Sequence, residues 1–327
     1  MRALASPNAL KGVLTAEEAA AALARGFRRG GVDAEELPVA DGGDGTASVL
    51  VGVLGGQWRT ARVTGPLGRP VDAQWALLPG RVAVVESAEA IGLKLLAPHE
   101  LDPLRASSRG FGELILSALA EEPEELILCL GGVATVDGGA GLRDVLSEFP
   151  VPTRVARDVV APLLGPRGAA QAYGPQKGAT PEVVIQLEAR LAAMPELAPY
   201  AQVPGAGAAG GLGAACAALG ADLVDGGDLV LDALGFGERI RDVDLVVTGE
   251  GTVDATTAEG KAPAAVARAC RREGVRCVVF GGRVVQPLDD VTTYELSGRP
   301  EAAEEDLVSL GERLAALPSR GGGAPSS

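Results

Sequence analysis

The residues best suited to chemistry lie between Asp244 and Cys270, in DLVVTGEGTVDATTAEGKAPAAVARAC. Glu250 and Asp254 follow the apolar run Leu245-Val246-Val247 on a loop of small residues, and Gly260-Lys261 then opens an alanine-rich helical pattern. Carboxylates just past a buried strand can hold a divalent cation. An ammonium at a helix start adds charge to the free amides that bind phosphate there. An ordinary strand-to-helix loop with solvated charges would read the same over this stretch alone. It is not a P-loop, because Ala255 stands where the first glycine should be and Ala262 where the magnesium-binding hydroxyl should be.

The same arrangement recurs along the chain. A strand from Arg2 to Ser6 leads to Asn8 and Lys11, followed by a helix whose Thr15 and Glu18 form a capping box. A strand from Glu36 to Val39 runs into Asp41-Gly42-Gly43-Asp44-Gly45, where two carboxylates among glycines can approach a metal or a hydroxyl, or simply make a turn. Glu86 ends the apolar run RVAVVES, and Arg105 and Arg109 precede a helix. The strand Glu125 to Leu130 ends in Gly131-Gly132 and reaches Asp137. Lys177 lies in a glycine loop before a helix with Thr180 as N-cap and Pro181 in its first turn.

The run from Gly205 to Gly213 leaves three readings open: a dinucleotide site, a phosphate loop, or close helix packing. Gly205, Gly207 and Gly210 satisfy G-x-G-x-x-G and Asp225 lies near the expected distance, as in a nicotinamide-dependent oxidoreductase. The preceding Gln-Val-Pro gives no clear strand.

Positioning these loops requires a particular scaffold. Repeated strand, glycine loop and helix units predict a doubly wound α/β sheet. From Trp58 to Glu86 the pattern changes to short alternating runs around turn residues, which predicts hairpins and the start of a second domain. The expected division puts 1–57, 100–132 and 238–318 in a Rossmann-like domain and 58–99 and 133–237 in the second, with a disordered tail at 319–327. At 327 residues and 47% apolar content a full core is available, and with 3% aromatics it must be built from Ala, Val and Leu.

A net charge of −14 argues against nucleic acid or an anionic membrane surface as partner. The start MRALASPNAL lacks a signal-peptide core and no apolar run approaches a membrane span, so a cytoplasmic protein is expected. Cys129, Cys216, Cys270 and Cys277 are scattered in apolar surroundings and imply neither disulfide nor zinc. A single histidine, His99, sits in a proline-flanked loop, which points to a carboxylate as general base.

Taken together, VADGGDGT, VTGPLGRPV, DPLRASSRGFGELI, GGVATVDGGAGL, GPRGAA, GPQKGAT, PGAGAAGGLGA, LVLDALG, LVVTGEGTVD and GKAP resemble the bacterial type I glycerate kinases, in that family's order from Ser6 to about Gly282. The resemblance implies two α/β domains, one Rossmann-like with a parallel sheet and one with mixed and antiparallel strands, around a cleft. It implies transfer of the ATP γ-phosphoryl group to D-glycerate, usually giving 2-phosphoglycerate, with Mg²⁺, by a monomer or homodimer.

On that reading Lys11, Lys177 and Lys261 supply charge for phosphate or carboxylate. Arg109, Glu86 and Asn8 face the substrate, and the amides of Gly205, Gly207, Gly210, Gly211 and Gly213 cradle ATP. Asp41, Asp44, Glu250 and Asp254 hold Mg²⁺ or take the hydroxyl proton, with Glu250 and Asp254 first for the metal and Asp137 for the base.

The chain departs from the family pattern at several places. Asn8, Val133, Val136 and Ala161 replace polar residues, Thr252 replaces an arginine, and several tens of residues are missing between Leu142 and Val155. These changes make an altered or weakened kinase the alternative to full activity.

Overall fold

The structure, a computed structural model, describes residues 1–317; the expected tail at 319–327 lies outside the described residues. Its strands are β1 (Arg2–Ala5), β2 (Asp33–Glu36), β3 (Gln57–Thr64), β4 (Pro70–Leu78), β5 (Val82–Glu86), β6 (Glu125–Leu130), β7 (Thr153–Arg157), β8 (Asp222–Asp225), β9 (Leu245–Val253), β10 (Arg276–Val284) and β11 (Thr292–Glu295). The helices are α1 (Ala16–Arg29), α2 (Thr46–Leu54), α3 (Ser87–Ile91), α4 (Arg109–Leu119), α5 (Ala140–Arg143), α6 (Ala169–Tyr173), α7 (Pro181–Ala192), α8 (Ala208–Ala218), α9 (Gly226–Ala233), α10 (Phe236–Arg239), α11 (Ala262–Glu273) and α12 (Ala303–Ala315). No helix among the described residues is long and apolar enough to cross a membrane.

The described residues form an α/β protein of two compact units, one made of Met1–Asp41 and 227–317, the other of Gly42–Gly226. In the first unit a parallel sheet runs in the order β11-β10-β9-β1-β2. Ala3, Leu4, Ala5, Val246 and Val247 are fully buried, as strands covered on both faces require.

The strand expected at Glu36 to Val39 is instead β2, Asp33–Glu36. It lies at the sheet edge, where one covered face suffices and the polar text Asp-Ala-Glu-Glu is tolerated. Leu37 and Val39 still donate their amides to the Ala5 and Pro7 carbonyls. Beyond β1 the chain steps one way to β2, then returns on the other side through β9, β10 and β11. The β1 and β9 loops therefore diverge at the carboxyl edge, the place where open α/β sheets hold ligands.

α1 and α12 cover this sheet. A Cβ on Gly26 would stand 2.1 Å from the Val308 carbonyl oxygen and 2.9 Å from the Gly311 Cα, so the two helices cross backbone to backbone. The Thr15–Glu18 capping box that starts α1 is formed on both sides, at 3.1 and 2.8 Å. α1 follows the β1 loop directly, and α12 follows the β11 connection, so this crossing fixes two loops at once.

In the second unit β3, β4 and β5 are an antiparallel meander, as the alternating text predicts, and β5, β6, β7 and β8 continue the sheet in parallel. The expected domain boundaries are therefore corrected. Residues 42–57 and 100–132 belong here, because β6 pairs β5 and β7 and α2 packs on β4 and β5. Trp75, Phe111 and Ile115 anchor the core. Between Leu142 and Val155, the stretch expected to be short, the β6-to-β7 crossover consists of α5, a single turn, and a loop.

Candidate active site

In the first unit the carboxyl edge gathers the predicted residues Asn8, Lys11, Asp41, Glu250, Asp254 and Lys261. The Asn8 side-chain amide donates to Asp41 Oδ2 at 3.1 Å, and both residues are buried. Glu250, 7% exposed, accepts from Thr257 Oγ1 at 2.7 Å and faces Lys261 Nζ at 3.6 Å. Burial raises the Glu250 carboxyl above its ordinary value; Lys261 and the Thr257 hydroxyl oppose that shift, while Asp41 and Asp254 add to it. Asp254 is partly exposed and accepts from Thr256 Oγ1 at 2.6 Å and Thr256 N at 2.8 Å; these bonds, the hydroxyl's first, hold its carboxyl below the ordinary value.

Lys261 is the N-cap of α11 and makes no side-chain cap bond. Pro263 has no N–H and the Ala264 and Ala265 amides both donate to the Lys261 carbonyl at 3.1 Å, so the helix start offers an anion its dipole and the lysine ammonium rather than a row of free amides. The two carboxylates are shifted in opposite directions, Glu250 upward by burial and Asp254 downward by its Thr256 bonds, and acid–base work uses that kind of separation.

The second unit treats its predicted residues differently. Asp137, 1% exposed, accepts from Ser108 N and Ser108 Oγ at 2.8 Å each, Gly141 N at 3.2 Å and Gly139 N at 3.1 Å. With its lone pairs spent on four donors, this carboxylate fastens the loop to the start of α4. Lys177, 3% exposed, donates to the Thr135 carbonyl at 2.7 Å; burial lowers its ammonium to about 7, with Asp137 opposing.

Arg109 points its guanidinium at Glu113, 2.9 Å away on the same helix. Glu86 accepts from Gly45 N at 3.2 Å and Ala47 N at 2.6 Å, capping α2, and burial lifts its carboxyl to about 7. Asp44, Glu86 and Glu89 bring carboxylate oxygens within 4.8 Å of one another. Lys94 already bridges Asp44 and Glu89, at 3.1 and 2.6 Å.

The glycine run is packed against its own unit. A Cβ on Gly207 would meet the Pro162 carbonyl oxygen at 2.1 Å, one on Gly210 the Thr135 carbonyl oxygen at 2.0 Å, and one on Gly213 the Gly205 carbonyl oxygen at 2.0 Å. Gly205 meets the Arg157 side chain at 2.2 Å and Gly211 the Gly138 Cα at 2.9 Å. Packing alone therefore accounts for glycine at all these positions. No strand precedes the run, only the 3-10 turn Pro195–Tyr200, so the setting of a dinucleotide fingerprint is missing.

The sequence reading did not anticipate a recess of about 370 Å³ in the first unit, walled by the β1 loop, the ends of β9 and β10, and the β11–α12 connection. The available signals were glycines at strand ends, Gly251 and Gly282, which lie on the adjacent strands β9 and β10.

The profile of the Glycerate kinase family matches residues 3–149 and 144–305. The chain belongs to the glycerate kinase family. Among curated relatives, glycerate 2-kinase of Escherichia coli K12 is 38% identical over 95% of this chain and 92% of its own length. Glycerate kinase of Halalkalibacterium halodurans is 38% identical over 88% of this chain and 86% of its own. The crystal structure of a candidate glycerate kinase 2 from Salmonella typhimurium LT2 superposes with a TM-score of 0.82 at 34% identity, covering 97% of both chains.

Membership sharpens the meaning of the altered positions. Val133 and Val136 are 2% and 0% exposed and belong to the second unit's core, where apolar side chains cost nothing. Asn8 offers Asp41 an amide donor. Thr252 lines the recess.

Proposed function

We propose that this glycerate kinase family member phosphorylates D-glycerate with ATP and Mg²⁺ to give 2-phosphoglycerate. The observation that carries this reading is the grouping of Asp41, Glu250, Asp254 and Lys261 at the sheet's switch point, with the buried Glu250 facing Lys261 Nζ at 3.6 Å. Phosphoryl transfer asks a protein mainly for positioning and for charge around the transferring group. Lys261, at the positive end of the α11 dipole, supplies charge for the γ-phosphoryl oxygens, and Lys11 adds a second ammonium from the β1 loop. Glu250 takes the proton of the attacking hydroxyl as that oxygen bonds to the γ-phosphorus and the bond to the β-bridging oxygen breaks, leaving ADP.

Asp254 and Glu250 offer oxygen-only donors on one loop. That suits Mg²⁺, which keeps waters and takes one or two carboxylates along with substrate phosphates. Asp254, partly exposed and held by bonds local to its loop, would be the protein ligand, which leaves Glu250 free to take the proton. The ion would neutralise charge developing on the β- and γ-phosphate oxygens. Regiochemistry follows the Escherichia coli relative, whose name specifies the 2-position.

The test is purified protein with ATP-Mg²⁺ and D-glycerate, with ADP measured directly and the product passed to enolase. Enolase dehydrates 2-phosphoglycerate and leaves 3-phosphoglycerate untouched. ADP release with an enolase signal is expected. ADP release without it would overturn the regiochemistry, and glycerate-independent or absent ADP release the function.

A further inference from the structure

We propose that the recess at the carboxyl edge of the first unit's sheet is the nucleotide site, with the base seated against Leu296 and Pro300 and the phosphates led inward by Arg299 and Arg283 to Lys11 and Lys261. The proposal rests on the kinase reading for its ligand class and assigns a place that the sequence motifs did not, since the glycine run from Gly205 to Gly213 is filled by its own unit's backbone.

Size and shape give the first argument. About 370 Å³ falls in the range of pockets that hold nucleotide-sized ligands and far exceeds what a three-carbon acid fills. The walls come from the connection after β11, the ends of β10 and β9 and the loop after β1, in sheet order. Three strand spacings of about 4.8 Å make a trough of roughly 14 Å, the reach of an extended nucleoside polyphosphate.

Charge gives the second. Lys11, Arg283 and Arg299 make no ion pair or side-chain hydrogen bond among the described residues, and all three are exposed on the same recess. In a chain of net charge −14, unneutralised cations grouped on one cavity fit a polyanion. The recess's own carboxylates leave a surplus: Glu250 faces Lys261 and Asp306 bonds Ser297, two anions against the four cations Lys11, Lys261, Arg283 and Arg299.

The third argument is polarity along the trough. Its outer end carries the recess's apolar side chains from the β11–α12 connection, Leu296, Pro300 and Ala303, beside Arg299 and Asp306. The inner end holds Lys11, Glu250 and Lys261, the residues given the transferring phosphate. A ligand with a flat apolar end and a charged end therefore has one orientation, base outward and γ-phosphate at the switch point. At the seam Gly251 and Gly282 leave the floor without side chains, and a Cβ on Gly282 would approach the Gly251 carbonyl oxygen to 2.8 Å.

Isothermal titration of the full chain with ADP, and with ATP-Mg²⁺ in the absence of glycerate, tests this. Arg283→Ala and Arg299→Ala are each expected to weaken ADP binding roughly tenfold, and the double variant about 50- to 100-fold, as lost charge-assisted phosphate contacts should. In turnover the double variant should raise KM for ATP by a similar factor while KM for glycerate stays within about twofold. Arg276→Ala removes an exposed charge from the opposite end of β10 and should leave ADP affinity within about twofold. Wild-type affinity for ADP in the double variant would overturn the site even if glycerate is phosphorylated, and so would absence of ADP binding by the wild type. ADP binding lost in the double variant of a protein that never phosphorylates glycerate would keep the site and overturn the function.

Discussion

Two loops of this molecule carry the same three residues after a buried strand, and the fold uses them in opposite ways. Thr252-Val253-Asp254 ends β9 in the first unit, and Thr135-Val136-Asp137 follows β6 in the second. In both the valine is fully buried. Asp254 stays partly exposed, bonded only to nearby residues of its own loop, while Asp137 is sealed in and bonded to Ser108, 29 positions away. A carboxylate whose donors are local can turn to a ligand. One whose donors are distant is part of the frame, and spacing in sequence cannot distinguish the two.

Lys261→Ala should have the largest effect, lowering kcat/KM about 10²- to 10³-fold if its ammonium meets developing charge, with the urea midpoint nearly unmoved. Turnover within a few-fold of wild type would break the contrast from the first unit's side. Asp254→Ala should follow it, losing activity at a stability cost below about 1 kcal/mol.

From the second unit's side, Asp137→Ala should lower unfolding free energy by about 3–5 kcal/mol by stranding buried donors. Gly210→Ala should cost at least about 2–3 kcal/mol, since its Cβ lands on the Thr135 carbonyl oxygen. Equilibrium urea unfolding reads both. An Asp137→Ala protein of wild-type stability with abolished turnover would instead make Asp137 chemical and dissolve the distinction.

The second unit's buried charges predict a pH signature. Glu86 is held at about 7 against an ordinary 4.5, so the folded state binds more protons across that interval and stability falls as pH rises through it. Lys177 is held at about 7 against an ordinary 10.5, so there the folded state binds fewer protons and stability climbs with pH from about 7 upward. Urea midpoints at about pH 5, 7 and 9 should therefore pass through a minimum near neutrality, and Glu86→Gln should flatten the acid limb only. The smallest effect belongs to Arg109→Ala. Its exposed pair with Glu113 is worth less than about 0.5 kcal/mol, so the urea midpoint should hardly move.

The sequence displayed the strand ends well, because glycine after a β-branched run is a local signal. It placed Asn8, Lys11, Glu250, Asp254 and Lys261 on one sheet edge without help from tertiary structure. What it could not display was pairing. β6 was read with the first unit, because a short apolar strand carries no mark of its neighbours; β7 and β8, Thr-Arg-Val-Ala-Arg and Asp-Leu-Val-Asp, were too polar to register as strands. The outer wall of the recess was hidden for a related reason, since Leu296 and Arg299 are ordinary residues that only a parallel neighbour brings beside Gly282. The glycine run after Gly205 was legible as a need for glycine but not as to its cause, which is the close approach of residues 135–138 and 161–163.

The contact between Gly26 and Gly311 reaches further than the two helices that make it. Because one helix leaves the loop carrying Lys11 and the other leaves the connection carrying Arg299, a methyl group at the crossing would act as a wedge whose far ends open the two jaws of the recess. On the proposed nucleotide site, ADP affinity would then gauge a seam that the ligand itself does not touch.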